Sequence, residues 1–169
     1  MAISFQTCDL CDAHKHESDD GFRVLPLPWR SYGGQDFFAG PVTTICCLED
    51  NSLVKQALES PGAGRVLVVD GGGSMRKALV GGNLASAAAR NGWAGVLVFG
   101  CVRDVAELHQ ASVGIFAMGN VPMPTEKRGQ GQRGVPVEIA GVQVSEGDWL
   151  YADADGVVIS SKALHLGSA

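Results

Sequence analysis

The sequence predicts an α/β fold, a single compact domain with a mixed central sheet. Apolar strands alternate with short helical stretches between Val42 and Met118, and the chain after Val135 reads as short strands around turns. The size fits. With 169 residues, 46 % of them hydrophobic and 18 % charged, residues 1–169 are expected to close one domain around a substantial core.

The elements follow in order. The first 23 residues are polar and helix-prone, with Thr7, Asp9 and Asp12 near a helix start, and a loop rich in Pro and Gly comes next. Val42 to Leu48 is dense in β-branched residues and Cys, which predicts a buried strand; Asp50, Asn51 or Ser52 then caps a helix through Leu58. Pro61-Gly62-Ala63-Gly64 ends that helix. Arg65 to Asp70 is an apolar strand, Gly71 to Ser74 a turn, and Lys77 to Val80 a second short strand expected close to the first. Asn83 to Asn91 is rich in Ala and stops before Gly92, where a left-handed cap belongs. Ala94 to Phe99 predicts a strand buried on both faces, Asp104 to Gln110 one or two helical turns, and Gly114 to Met118 another strand, an alternation that implies parallel pairing. Thr125 to Gly134 reads as a solvated loop. Val135 to Ile139, Val142 to Val144, Trp149 to Tyr151 and Val157 to Ile159 close the list as strands.

Charge narrows the function. Thirteen Lys plus Arg against 18 Asp plus Glu leave −5, which argues against capture of nucleic acid or an anionic membrane and leaves a basic protein as a suitable partner. No basic leader or long apolar run is present, so a cytoplasmic location is expected. Five cysteines, with Cys46 beside Cys47, suit a reduced compartment. Cys8-x-x-Cys11 with His14 and His16 lacks zinc-site spacing, and the cysteines are read as small apolar residues of the first helix.

Other motifs fall away on their chemistry. Arg76 stands where a dinucleotide loop needs its last Gly, and Lys77 lies in no phosphate-loop pattern. Ser74 has no GxSxG frame. Asp153-Ala154-Asp155-Gly156 lacks the closing Glu of a calcium loop, since position 164 is Leu, and reads as an Asx turn.

Two segments remain. Gly81-Gly82-Asn83-Leu84 opens a helix, so its N–H groups and the helix dipole suit a carboxylate that the glycines let come close. After the next strand, Asp104 offers a hard oxygen to Mg²⁺ or Mn²⁺, and Arg103 a permanent charge for an enolate oxygen. Glu107 follows within the same turn. Together they suit a small keto acid.

The stretch VVDGGGSMRKALVGGNLASAAARNGWAGVLVFGCVRDVAEL and the later GDWLYADADGVVIS resemble the family of the regulator of ribonuclease E activity A, which also holds the 4-hydroxy-4-methyl-2-oxoglutarate aldolases. The resemblance runs from Thr7 to Ser160 and includes a G-x20-RD-x2-E pattern from Gly82 to Glu107. It implies a swivelling β/β/α domain in a homotrimer with sites near subunit interfaces. It also implies roles: Gly81, Gly82, Asn83 and Leu84 for the pyruvyl carboxylate, Arg103 for the keto or enolate oxygen, Asp104 for a divalent metal, Glu107 for its waters. The expected reaction is retro-aldol cleavage that releases pyruvate, or decarboxylation of oxaloacetate, through a pyruvate enolate. Gly82 stands where dedicated aldolases of the family carry Asp, and the end at Ala169 matches the regulator branch. The alternative expectation is therefore a non-catalytic protein that binds and inhibits ribonuclease E.

Overall fold

A computed structural model describes residues 4–164 and Leu166. In chain order the elements are α1 (Thr7–His14), β1 (Phe22–Val24), β2 (Arg30–Ser31), β3 (Phe38–Cys46), α2 (Ser52–Leu58), β4 (Val66–Asp70), β5 (Ala78–Val80), α3 (Gly82–Arg90), β6 (Gly95–Val102), α4 (Val105–Gln110), β7 (Gly114–Asn120), β8 (Gln132–Arg133), β9 (Val137–Ile139), β10 (Val142–Val144), β11 (Trp149–Asp153) and β12 (Gly156–Ser160).

One path of strands, β1-β12-β11-β3-β4-β6-β7-β2, organises the molecule. Its middle is parallel, with β3, β4, β6 and β7 side by side as the strand and helix alternation predicts. The mixed character comes from β3. Its first four residues, Phe38 to Pro41, pair antiparallel with β11, and Val42 to Cys46 pair parallel with β4. The strand thus starts four residues ahead of the expected Val42. Pro41 sits where the strand changes partners, a place where a missing N–H costs little.

Side-chain size sets the layers. Helices α2, α3 and α4 cover one face of the parallel sheet through Val54, Leu58, Ala85, Ala88 and Leu108 against Leu67, Val69, Val96 and Val98. The other face, with Val66, Val68, Leu97 and Phe116, is closed by β11, β12 and the β9–β10 hairpin through Val137, Ile139, Val144 and Leu150. Phe38 is wedged there between Gly95 and Gly114, edge-on to Phe116 with ring centroids 5.2 Å apart.

Three local outcomes refine the sequence reading. Strands β4 and β5 do not pair with each other; both lie along the same edge of β6, end to end. Gly92 takes the left-handed conformation at φ 74°, as its place after the Ala-rich helix requires. Asp153 in the Asx turn accepts the Thr7 N–H at 2.7 Å and hydroxyl at 2.6 Å, so it caps α1. Among the described residues no helix is long and apolar enough to cross a membrane.

Candidate functional site

Strands β5 and β6 run parallel, and the chain leaves both at their C-terminal ends, the end at which open α/β sheets bind ligands. The Arg103 N–H donates to the Val80 carbonyl at 2.9 Å, which ties the two exits together. Gly81 is extended at φ −127°, and α3 starts at Gly82. Asp104 adopts the left-handed conformation at φ 59° and ψ 46°, a geometry that Asp tolerates better than most residues and that strain often marks as functional.

That turn brings the two sequence segments into contact. Asp104 Oδ2 accepts the Gly82 N–H at 2.9 Å and lies 4.0 Å from Arg103 Nε. Of the first-turn amides of α3 that lack an intrahelical partner, one is therefore held by the protein's own carboxylate, and those of Asn83 and Leu84 remain for an outside anion. A Cβ on Gly82 would lie 1.8 Å from Glu107 Oε2, so the Glu107 carboxylate occupies the space that any side chain at 82 would need.

Gly81, Gly82, Asn83, Leu84, Arg103 and Asp104 all line one cavity of about 690 Å³, and Glu107 stands just behind it against Gly82. The opposite walls are supplied by residues to which the sequence reading gave no site role. From α2 and the residues that flank it come Asn51, Lys55 and Glu59, from the outer face of α3 Ser86 and Arg90, and from the long loop Thr125 and Lys127. Four cations against two carboxylates make this cleft basic within an acidic chain, which suits an anionic ligand. Asn51 Nδ2 donates to the Leu79 carbonyl at 3.1 Å, whereas Asn51 Oδ1 and Thr125 Oγ1 are buried with no hydrogen-bond partner among the described residues. Buried polar atoms of this kind are expected to find a partner, here a ligand or water in the cleft. No local pattern marks Asn51, Lys55 or Lys127 in the sequence, because only the tertiary fold brings α2 and the loop across from α3.

Thr125 to Gly134 is solvated over residues 126–134, as expected, but it is tied down. Strand β8 pairs Gln132 and Arg133 with Cys46 and Ile45, and Asp50 forms a β-bridge with Glu126. Asp50 is 2 % exposed. Burial alone would push its carboxyl up, yet the Ser52 hydroxyl and the N–H groups of Ser52, Arg128 and Gln130 hold it down at about 2. It is a carboxylate throughout the physiological range.

The donor set fits a particular kind of metal ion. Asp104 offers carboxylate oxygen beside an open cleft, while no group of three or more His, Cys, Asp or Glu is gathered among the described residues. A hard cation that keeps most of its waters suits such a site, and a closed protein cage does not.

Comparison with known proteins supplies the family. The model of the RraA-like family, described as Aldolase/RraA, matches residues 7–159. A protein of Albidiferax ferrireducens named as a candidate 4-hydroxy-4-methyl-2-oxoglutarate aldolase is 57 % identical over 172 residues, covering 97 % of this chain and 99 % of its own. Among solved structures, the RNA-processing inhibitor RraA from Thermus thermophilis superposes with a TM-score of 0.90 at 43 % identity over 96 % of both chains. The structure of an S-adenosylmethionine: 2-dimethylmenaquinone methyltransferase from Geobacillus kaustophilus HTA426 reaches 0.88 at 46 % identity, covering 95 % of this chain and 97 % of its own.

Proposed function

This chain belongs to the RraA-like family, and on that premise we propose that it is a divalent-metal-dependent lyase that cleaves 4-hydroxy-4-methyl-2-oxoglutarate, decarboxylates oxaloacetate, or both. The observation that carries the reading is the Asp104 carboxylate bonded to the Gly82 amide, which joins the α3 start and the Arg103 side chain over one basic cleft.

The residues divide the work. The amides of Asn83 and Leu84, with the dipole of α3 behind them and Gly81 and Gly82 giving room, bind the carboxylate next to the keto group. Arg103 faces the keto oxygen and stabilises the negative charge that grows there as the bond β to it breaks and the enolate forms. A divalent cation such as Mg²⁺ or Mn²⁺, held by Asp104, supplies Lewis acidity toward the same α-keto acid. Glu107 positions water for the proton transfers that unmask the leaving carbonyl and quench the enolate. Lys127, Lys55 and Arg90 meet the carboxylate at the far end of the substrate, and the unpartnered oxygens of Asn51 and Thr125 meet its hydroxyl.

Pyruvate release from each of the two substrates, with and without Mg²⁺, tests the proposal; no metal-dependent turnover on either would end it. A narrower test concerns Gly82. Gly82→Ala is expected to keep the melting temperature within roughly 3 °C, since the flexible Glu107 can swing aside, yet to lower kcat about tenfold or more because that carboxylate has left its place. Unchanged kcat would show that Glu107 takes no part.

The methyltransferase name attached to one structural neighbour has less support, since a cleft lined by charged and small polar residues offers no apolar channel for an isoprenoid quinone. A second reading is favoured by likeness to the RNA-processing inhibitor and by the net charge of −5: a protein that binds a basic segment of ribonuclease E. Cleavage by ribonuclease E at physiological salt, unaffected by this protein in excess, would exclude it. The homotrimer implied by the family resemblance is part of the proposal and is tested by light scattering.

A further inference from the structure

One wall of the cleft has almost nothing of its own to stand on. Residues 126–134 are all exposed, so no apolar burial anchors them. Between the β-bridge at Glu126 and strand β8, three successive backbone amides are collected by two side chains. Asp50 Oδ2 accepts the N–H of Arg128 at 2.7 Å and of Gln130 at 3.3 Å, and Ser52 Oγ accepts that of Gly129 at 3.1 Å. The other oxygen of Asp50 accepts the Ser52 N–H at 2.9 Å, which fixes the carboxylate to the start of α2. The nest of amides that proteins often turn toward an outside anion is closed here on an internal one.

Around the β-bridges at Pro124 and Glu126 the side chains alternate; beyond them the chain bends at Arg128 and turns left-handed at Gly129, φ 69°. Thr125 and Lys127 face the cleft, while Glu126, Arg128 and Gln130 line a shallow depression on the far side beside Asp50. Thr125 is fixed between the β-bridges at Pro124 and Glu126, whereas Lys127 lies between the last bridge and the amides of 128–130, so where those amides are held decides where Lys127 points. Residues 50–52 serve both walls: Asn51 lines the cleft while its neighbours Asp50 and Ser52 hold the loop across from it.

We propose that Asp50 is a positioning residue which, by gathering the amides of Arg128 and Gln130, sets Lys127 at the distance needed to grip the far carboxylate of the substrate. The inference rests on the lyase reading and adds that affinity for the far end is tuned from behind the wall, by a group that never meets the ligand. Asp50→Asn keeps the shape and removes the charge that makes these hydrogen bonds strong. Ser52→Ala removes the Gly129 contact and the hydroxyl's bond to Asp50, and leaves the Asp50 carboxylate and its bonds to Arg128 and Gln130 in place.

Steady-state kinetics with 4-hydroxy-4-methyl-2-oxoglutarate, inhibition by pyruvate and hydrogen exchange across 127–131 test it. In Asp50→Asn, KM is expected to rise about tenfold with kcat within roughly twofold, exchange of the three amides to accelerate, and the inhibition constant of pyruvate, which lacks the far carboxylate, to stay unchanged. Ser52→Ala should shift KM in the same direction by about threefold, and it decides the matter alone if Asp50→Asn does not fold. Faster exchange with unchanged KM would overturn the proposal, as would a joint rise in KM and in the pyruvate constant. If wild-type protein releases no pyruvate, the lyase reading fails by itself. Calorimetric binding of oxaloacetate and pyruvate then decides this inference: weaker oxaloacetate binding in Asp50→Asn with pyruvate unchanged supports it, and equal binding refutes it.

Discussion

Asp104→Asn is expected to lower metal-dependent pyruvate release by on the order of a hundredfold or more while leaving the fold in place. Asparagine is the informative replacement because it shares with Asp the tolerance for the left-handed backbone that position 104 adopts at φ 59°. Its amide oxygen can still accept the Gly82 N–H, so the tie between the α3 start and the turn at 103–104 survives. What disappears is the negative charge. Calorimetry with Mn²⁺ should show the loss of metal binding in parallel with the loss of rate, and circular dichroism should show an unchanged melting curve. Asp104→Ala would confuse matters, since it adds strain at a positive φ to the loss of the carboxylate. Turnover of Asp104→Asn within a fewfold of wild type would remove Asp104 from the mechanism.

The second large effect is on stability. Gly114→Ala places a methyl group 2.0 Å from Phe38 Cδ1, and the ring's other flank lies so close to the Gly95 backbone that a Cβ there would stand 2.1 Å from Cδ2, which limits its retreat. Phe38 is 4 % exposed, and its partner Phe116 is 2 % exposed. Overpacking of a buried ring between two paired strands is expected to cost about 3 kcal/mol, a fall in melting temperature of roughly 6 to 12 °C. Thermal denaturation of the variant checks this. A shift under about 2 °C would mean that the two strands separate far more easily than their continuous pairing from Gly95 to Val98 suggests.

Much of this architecture is legible in the residues because local pattern and tertiary role agree. Runs such as VLVV at 66–69 and GVLV at 95–98 are buried on both faces, and a strand buried in that way is apolar at every position. Helix α3 announces both ends, with glycines before it and Gly92 after it. Where the two levels part, the sequence misleads. Gly40-Pro41 falls in the stretch that reads as a Pro- and Gly-rich loop before Val42, yet it is the place where β3 exchanges one neighbour for another. Thr125 to Gly134 is polar and rich in Gly, which describes a free loop equally well as one held by its amides from Asp50, because the anchor lies 75 residues or more away in the chain. The site divides along the same line. Gly81 to Leu84 and Arg103-Asp104 each follow a strand and can be found by reading along the chain, whereas Asn51, Lys55, Arg90 and Lys127 become site residues only when α2, α3 and the loop close around one cavity.

The pairing of β3 has a consequence for how the polypeptide is made. Its first half finds its partner in β11, and β1 finds its own in β12, so residues 22–24 and 38–41 must wait for residues 149–160 before either edge is complete. During synthesis the parallel strands from Val42 to Asn120 are all available first, while one flank of that sheet stays bare until β11 and β12 leave the ribosome. Nascent chains halted before Trp149 are therefore expected to expose Phe38 and Val42 to chaperones and proteases, and chains released past Ser160 to become resistant in a single late step.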